Sequence, residues 1–463
     1  TFPGQEEKMK SFSFFLICAL VGLSVATKIQ WTMVPEQPVE DDHPFNFKIV
    51  LDQQNLDTLE NLFWQISDPK SPLFGKYLNN EQIAELISLP EADIQKVEAY
   101  LKQDAGKACD VKVDRSVHRD YLYVYTCAGQ AKIIFPNLNF AVYERSNSNQ
   151  TVIRSSTLVD LASNAFFLGV PHELHHLISG IHDVTDTPVP VKHASSKPGF
   201  DPFLPWQKSD KELTITEMRD TFNVTFEGID AETLEKDDGQ VRQGVVEFFH
   251  NNFSAKELAA YQQKYGLPSN PIRKIIGTEN FSEEESVEVS LDVQTITGIS
   301  GNVHTWDFTF GDSLCWLDVV ETLTTTSGAP KVLSCSWGNW ETDYNESKVA
   351  PVNTAFMKLG LAGFTFFIAA GDSGPSLQNN CKYYDPQFPA TSPYVVSVGG
   401  TKIDKASGVE GAWFNSSGGF SFLVPRPKFQ VEKVGHYVEN AKFPPNPEGK
   451  IYNTTGRGFP DVS

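Results

Sequence analysis

Strand-like and helix-like segments alternate along residues 244–370, and this alternation constrains the fold more than any other feature of the sequence. Short apolar runs are separated by stretches in which apolar residues recur every three or four positions. Strands that alternate with helices form a parallel sheet, so we predict an α/β fold with functional side chains at the carboxyl ends of the strands. The predicted strands are residues 244–248, 274–276, 332–334 and 364–370, and the predicted helices are residues 254–265, 284–296, 314–323 and 352–361.

The part of the chain before residue 183 has a different, α+β pattern. Between residues 183 and 211 the periodicity disappears, and five prolines stand among Ser, Lys and Asp. This composition is typical of an exposed linker that proteases cut, so we place a domain boundary there. The predicted strands before it are residues 45–51, 121–125 and 140–143, and the predicted helices are residues 56–66, 81–87 and 91–101.

One long apolar run, residues 12–26, lies near the amino end. It follows a basic start at Lys10 and closes with small residues at Ala26, and it is shorter than the about 20 apolar residues of a spanning helix. These features favour a signal peptide, residues 9–26, cleaved after Ala26, over a membrane anchor. Residues 1–8 stand before the methionine that would begin this signal, and we interpret them as an upstream leader.

The chain is acidic, with 38 Lys and Arg against 58 Asp and Glu and a net charge of −20. Nucleic-acid binding needs clustered basic side chains, which this sequence lacks, whereas an acidic compartment or a peptide substrate stays open. Removal of Cys18 with the signal leaves five cysteines, so one thiol is free or its partner is missing. Candidate N-glycosylation sequons, expected in a secreted protein, occur at Asn149, Asn223, Asn252, Asn280, Asn345, Asn415 and Asn453.

Two carboxylates on the acidic helix are the sharpest candidates for chemistry. Glu288 and Asp292 are four residues apart, so they share one helical face with side chains about 6 Å apart or less. Repulsion between such neighbours raises one pKa and creates an acid/base pair for mildly acidic solution. An ordinary solvated acidic face is the alternative. We expect the valines and leucine beside the pair to cover its buried sides, namely Val287, Val289, Leu291 and Val293.

A third carboxyl, Asp372, directly follows the apolar strand at residues 364–370 and lies between Gly371 and Gly374. Glycines let a substrate backbone approach, and a protonated carboxyl at a strand end can donate a hydrogen bond to a developing oxyanion. The same tetrapeptide resembles the nucleophile loop of trypsin-like proteases. That interpretation fails because those enzymes are all-β and need a His/Asp pair with its own motif.

The short motif at residues 172–176 (HELHH) has the spacing of a helical zinc site. No third ligand stands out, and the motif precedes the predicted linker. We therefore interpret it as a surface helix that contains histidines.

Several sequence blocks, in the same order, resemble the sedolisins, or serine-carboxyl peptidases, and within them the tripeptidyl-peptidase I group of lysosomal enzymes. The resemblance covers most of the chain: residues 67–78 (SDPKSPLFGKYL) lie in the activation prodomain, and the remaining blocks lie in the catalytic domain. Those blocks are residues 288–292 (EVSLD), 334–338 (SCSWG), 371–374 (GDSG), 388–394 (FPATSPY), 398–401 (VGGT), 418–421 (GGFS) and 457–462 (RGFPDV).

The resemblance implies a role for each matched carboxyl. Glu288 would be the general base to a serine, Asp292 its orienting partner and Asp372, when protonated, the oxyanion donor. A further implication is that the backbone of residues 336–338 pairs with an extended peptide substrate, with Ser336, Trp337 and Gly338 as the substrate-binding residues.

The resemblance also implies a domain plan. Residues 27–182 would be an α+β, ferredoxin-like activation prodomain that inhibits its own enzyme, residues 183–211 the linker cut on activation, and residues 212–463 a subtilisin-like peptidase domain. The family's calcium site, and a partner for Cys381, would lie beyond Ser463. Cys109 and Cys127 flank a prodomain strand and could pair with each other.

The nucleophilic serine of the family is expected in a Gly-Thr-Ser block about two dozen residues after residues 460–462. No Gly-Thr-Ser occurs in the 463 residues, so we expect the chain as it stands to be a C-terminally truncated, inactive peptidase. The predicted function is an acid-activated zymogen of a tripeptidyl aminopeptidase in the lysosome or outside the cell. The alternatives are an endopeptidase of the same family and a catalytically dead secreted protein that binds peptides.

Overall fold

The computed structural model describes residues 31–34, 37–103, 108–145, 151–156, 168–184, 214–224, 241–248, 253–277, 286–311, 314–374, 377–378, 383–404, 407–443, 446 and 451–463. The predicted signal peptide and nearly all of the predicted linker lie outside these residues. So do Cys381 and the sequons at Asn149, Asn252 and Asn280.

Two antiparallel sheets and four helices make up the described part of residues 31–184. The strands are β1 (Trp31–Val34), β2 (Pro44–Leu51), β3 (Lys112–Arg115), β4 (Tyr121–Cys127), β5 (Phe140–Arg145), β6 (Thr151–Ser155) and β7 (Ile178–His182). The helices are α1 (Leu56–Ser67), α2 (Asn80–Ile87), α3 (Glu91–Leu101) and α4 (Ala128–Ile134). One sheet has the order β3-β4-β2-β7 and the other β1-β5-β6. Alternate residues of β2, namely Phe45, Phe47 and Ile49, are buried in the core, as the period of a half-exposed strand requires.

A six-stranded parallel sheet organises the described part of residues 214–463. Its strands are β8 (Arg242–Glu247), β9 (Ile272–Gly277), β10 (His304–Thr309), β11 (Val332–Cys335), β13 (Thr365–Ala369) and β17 (Val396–Val398). Short antiparallel pairs are formed by β12 (Asn339–Trp340), β14 (Leu377–Gln378), β15 (Tyr383–Tyr384), β16 (Gln387–Phe388), β18 (Thr401–Ile403), β19 (Glu410–Ala412), β20 (Gly419–Pro425) and β21 (Gly456–Phe459). The helices are α5 (Ile215–Thr221), α6 (Ala255–Lys264), α7 (Val287–Ser300), α8 (Trp316–Thr325), α9 (Glu346–Leu361) and α10 (Val431–Asn440).

The order of the parallel sheet is β17-β13-β11-β8-β10-β9, which confirms the predicted sheet. Neighbouring strands contribute Val245, Phe308, Leu333 and Phe366 to one buried apolar cluster. Because all six strands run the same way, their carboxyl ends share one edge of the sheet. The side chains that follow β8, β11 and β13 are therefore brought near one another.

Helix α9 is longer than predicted because it contains Pro351. The prediction began the helix at residue 352, after the proline, since proline lacks a backbone N–H and usually ends a helix. The structure begins it at Glu346, where the Asn345 side chain accepts a hydrogen bond from the Lys348 N–H. An N-cap satisfies a backbone donor at the start of a helix and outweighs the signal of a proline near that start.

The amino-terminal unit rests on α9 through a shared apolar cluster. Phe63 of α1 packs so closely against Gly360 that a Cβ atom there would lie 2.4 Å from its ring. The Leu78 N–H also donates a hydrogen bond of 2.9 Å to the Leu361 carbonyl. The buried members of the cluster are Leu59, Phe63, Ile66, Ile83, Ile87, Met357 and Leu361.

A buried ion pair lies in the same contact between the two units. The Lys358 ammonium of α9 donates a hydrogen bond to Asp120, and both side chains are almost completely buried. Asp120 also accepts hydrogen bonds from Gln53, at 2.7 Å, and from Ser116, at 2.9 Å. The carboxylate therefore has three donors, whereas Asp120 is the one salt-bridge partner of the ammonium among the described residues, with the charge of Glu321 and the ring of Tyr121, 5.0 Å away, as further neighbours.

We expect Asp120→Asn to destabilise the protein more than Lys358→Met does. The first change leaves a buried ammonium without its salt-bridge partner, which costs about 3–5 kcal/mol in comparable pairs. The second leaves Asp120 with the Gln53 and Ser116 donors. Urea unfolding of the full chain measures both, with Lys433→Met as the control because the Lys433 side chain is 84% exposed. Equal losses in the two variants would contradict this account of the pair.

Candidate active site

Helix α7 carries the predicted acid pair, with Glu288 in its first turn and Asp292 one turn later. Glu288 is 8% exposed and Asp292 is half-buried, so the pair is not an ordinary solvated face. Val289 and Val293 are fully buried beside it, as predicted.

The same prediction was wrong for Val287 and Leu291, which are 86% and 57% exposed. The helix also begins at Val287, later than the predicted residue 284, and ends at Ser300 instead of residue 296. Successive residues of a helix are rotated by about 100°. Because Glu288 and Asp292 themselves occupy part of the inward face, the residues just before each of them are turned toward solvent.

Asp292 is held between hydrogen-bond donors and other carboxyl groups. The Ser336 hydroxyl donates a hydrogen bond of 2.9 Å to Asp292 Oδ1. Burial and the charges of Glu288 and Asp372 nevertheless raise the pKa of Asp292 to about 7, although hydrogen bonds from Ser336 and Glu247 lower it. Asp292 is therefore suited to hold a proton in mildly acidic solution.

Asp372 lies in the loop that follows β13, where the prediction placed it. The loop is fixed by the Ser417 N–H, which donates 2.8 Å to the Gly371 carbonyl, and by the Ser417 hydroxyl, which accepts from the Ser373 N–H at 3.2 Å. Gly371 has φ +107° and no room for a Cβ atom, which would lie 2.2 Å from Gln387 Oε1. Burial, followed by the charge of Glu288, raises the pKa of Asp372 to about 6. The electrostatic effects join Glu288, Asp292 and Asp372 in one cluster.

Glu247 is a member of the cluster that the sequence analysis missed. It is the last residue of β8, it is fully buried, and its Oε2 atom accepts a hydrogen bond of 2.6 Å from the Trp337 indole N–H. Burial raises its pKa well above the usual value, and the charges of Asp292 and Asp307 raise it further. The rule that functional groups follow parallel strands points to this position, but no motif marks it.

Residues 336–338 follow β11, and Ser336 lies beside the acid pair. Trp337 is 1% exposed, so its side chain supports the site from within the core. A Cβ atom on Gly338 would lie 3.1 Å from the Phe388 carbonyl oxygen, so this position has little space for a side chain. The Ser336 hydroxyl is hydrogen-bonded to Asp292. The backbone groups of Ser336 are the ones that the resemblance assigns to substrate binding.

The histidine motif does not form a metal site in the described part of the chain. Residues 172–174 form one 3₁₀ turn, so the one-face spacing of an α-helix is absent, and His175 Nε2 lies 2.8 Å from the Val170 carbonyl. Across the described residues, no three His, Cys, Asp or Glu side chains are grouped so that they could hold a metal ion. The calcium site implied by the resemblance stays a prediction.

The remaining candidates are spread over the surface and the amino-terminal unit. Cys109 and Cys127 form a disulfide, as their positions on either side of a predicted strand allowed. Asn223 is exposed, whereas the Asn453 side chain donates a hydrogen bond of 2.8 Å to the Ser421 carbonyl. Within the described ranges, no helix is long and apolar enough to cross a membrane.

We expect Glu288→Gln to lower the pKa of both Asp292 and Asp372, because the charge of Glu288 raises both of them. Carboxyl ¹³C NMR titration of the full chain measures the two values. Glu439→Gln is the matched control, since it removes one carboxylate from an exposed position on α10. Unchanged values in Glu288→Gln would show that the three carboxyls do not form one electrostatic cluster.

Comparison with known proteins adds evidence from outside this structure. Residues 31–187 match the family described as Pro-kumamolisin, activation domain. The chain is 26% identical to mouse (Mus musculus) tripeptidyl-peptidase 1, over 96% of this chain and 79% of that protein. It is 27% identical to the rat (Rattus norvegicus) protein of the same name, over 92% and 73%, and 26% identical to the human (Homo sapiens) protein, over 94% and 74%. Together with the sequence blocks, these matches support the resemblance of the chain to the sedolisin, or serine-carboxyl peptidase, family.

Proposed function

We propose that the chain is the zymogen of a serine-type peptidase that works at acidic pH and releases tripeptides from free amino termini. The observation that carries the proposal is the group of Glu288, Asp292 and Asp372, in which the charge of Glu288 raises the pKa of both aspartates and Asp372 also raises that of Asp292. Carboxyls with raised pKa values transfer and donate protons in acidic solution. The substrate assignment is taken from the relatives, which are named tripeptidyl-peptidases.

Each carboxyl has a distinct task in this proposal. Glu288 accepts the proton of a serine hydroxyl while the serine oxygen bonds to the carbonyl carbon of the scissile peptide, and then gives that proton to the leaving amine. Asp292 lies one helical turn away and orients Glu288. Asp372 donates a hydrogen bond to the oxyanion, and it can do so only when it is protonated, which its pKa of about 6 allows below that pH.

The serine belongs to a Gly-Thr-Ser block that the 463 residues do not contain. Ser336 is not assigned this task, because its hydroxyl is bonded to Asp292 and its backbone belongs to the proposed substrate strand. The alternative function is a secreted relative that binds peptides without cleaving them.

The substrate would lie along residues 336–338 and add an extended strand to their backbone. A tripeptidyl enzyme must also bind the free ammonium group of its substrate. The next residues, Asn339 and Trp340, are uncharged and buried, and the Glu341 carboxylate accepts hydrogen bonds from Ser421 and the Phe422 N–H. A carboxylate for the ammonium is therefore not found directly after Gly338, and cleavage inside chains is the alternative within the enzyme class.

The finer assignments of fold and cellular location also belong to this proposal. The sheet order of residues 44–182 supports a ferredoxin-like prodomain, and the parallel sheet with its carboxyl cluster supports a subtilisin-like catalytic domain. Residues 27–182 would inhibit the enzyme until the linker at residues 183–211 is cut in acid. The protein would reach the lysosome or the exterior through the secretory pathway, with N-glycans, and bind Ca²⁺ in a segment beyond Ser463.

The test is hydrolysis at about pH 4 by the complete protein encoded by the native transcript. We expect cleavage of a tripeptide-capped fluorogenic substrate, and we expect Glu288→Gln to lower kcat/KM by about 10²–10⁴-fold because the base is lost. Glu439→Gln, on the exposed face of α10, should retain the wild-type value.

The outcomes separate the three readings of the function. Cleavage of an amino-blocked substrate at the same rate would identify an endopeptidase. Peptide binding without any hydrolysis would identify the non-catalytic relative. Full activity in Glu288→Gln would overturn the roles assigned to the carboxyls.

A further inference from the structure

Asp307, like Glu247, is a carboxyl on a strand of the parallel sheet, and it has no part in the proposed reaction. It belongs to β10, which pairs with β8 so that Asp307 is opposite Val245 and Thr309 is opposite Glu247. Residues directly opposite one another, and residues two apart on one strand, share a face of the sheet. Asp307 and Glu247 are therefore diagonal neighbours on one face, and both are completely buried.

The hydrogen bonding of Asp307 is incomplete. Its Oδ1 atom accepts a long hydrogen bond of 3.4 Å from the Thr309 hydroxyl, and its Oδ2 atom has no hydrogen-bond partner in the described part of the chain. On the other side, β9 places Ile275 opposite Asp307. Over the described ranges, neither Asp307 nor Glu247 forms an ion pair with a lysine or arginine. The groups that act on Glu247 are Trp337 and the carboxyls Asp292 and Asp307.

A buried carboxylate without a cation or a full set of donors is costly, and the charge of one raises the pKa of a neighbouring one. We propose that Asp307 and Glu247 form a proton-binding pair. When the catalytic domain is folded at neutral pH, the pair lacks a cation and a full set of hydrogen-bond donors, and this destabilises the domain. Protons on both carboxyls favour the folded state, so the pair couples folding of the domain to acid. This property is independent of the nucleophile and of the proposed reaction.

The direction of the effect follows from proton linkage. Burial raises the pKa of Asp307 from 3.8 to about 7. A carboxyl whose pKa is higher in the folded than in the unfolded state stabilises the fold below its unfolded pKa, and that stabilisation is lost as the pH rises through its folded value. Asp307 therefore weakens the folded state progressively between about pH 4 and pH 7.

The experiment is urea unfolding of the full chain from pH 5 to pH 7. A single carboxyl whose pKa is raised as much as that of Asp307 increases the unfolding equilibrium constant about fiftyfold over this pH range. We expect Asp307→Asn and Asp307→Val to reduce the pH-dependent increase by about that factor. Asp307→Val should also be more stable than the wild type at pH 7, because an apolar side chain replaces a carboxyl with an unsatisfied oxygen.

Glu439→Gln controls for the loss of one negative charge at an exposed position and should keep the wild-type pH dependence. The asparagine variant preserves the shape of Asp307, so the test survives if the valine variant does not fold. A wild-type pH dependence in both Asp307 variants would overturn the proposal. So would a loss of stability at every pH with an unchanged pH dependence, since that result would mean a purely structural hydrogen-bonding role.

Discussion

The structure depends on several carboxyl groups that lie close together at one edge of the parallel sheet. Glu247, Asp292, Asp307 and Asp372 form no ion pair with a lysine or arginine in the part of the chain that the structure describes, and burial is the largest effect on the pKa of each. Charged carboxylates are unfavourable in such surroundings. The groups therefore retain protons in solutions where exposed carboxyls would be ionised, and this suits both acid catalysis and a preference of the fold for acid.

The parallel sheet assembles the cluster from distant parts of the chain. Glu247 ends β8, Trp337 follows β11 and Asp372 follows β13, and these three strands are neighbours. Helix α7 then adds Glu288 and Asp292 from one face. The amino-terminal unit contacts α9, the helix that leads into β13, so the buried pair between Asp120 and Lys358 supports the segment before Asp372.

Sequence reasoning succeeds here where the signal is local. The alternation of strands and helices predicts the sheet, and four-residue spacing predicts that Glu288 and Asp292 lie together, because both signals are contained in a few consecutive residues. Glu247 and Asp307 are single carboxyls in apolar strands. Their importance depends on which strands become neighbours, and that order is set by packing of the whole domain.

The errors in the predicted helices have equally specific causes. Pro351 led to a predicted start of α9 that is too late, because the capping effect of Asn345 outweighs the proline. Val287 and Leu291 are exposed because carboxyl groups, instead of apolar ones, occupy part of the inward face of α7. Apolar periodicity assumes that polar residues face solvent, and an inward-facing pair of carboxyls violates that assumption.

The most direct test of this account is the pH dependence of kcat in the complete protein and in its Asp372→Asn variant. The account requires a protonated Asp372, so wild-type kcat should fall as the pH rises through about 6. An asparagine donates a hydrogen bond at any pH, and the variant should be slower in acid but should lose this decline. The same decline in both proteins would show that another group controls activity, and it would contradict the assignment of Asp372 as the proton-bearing donor.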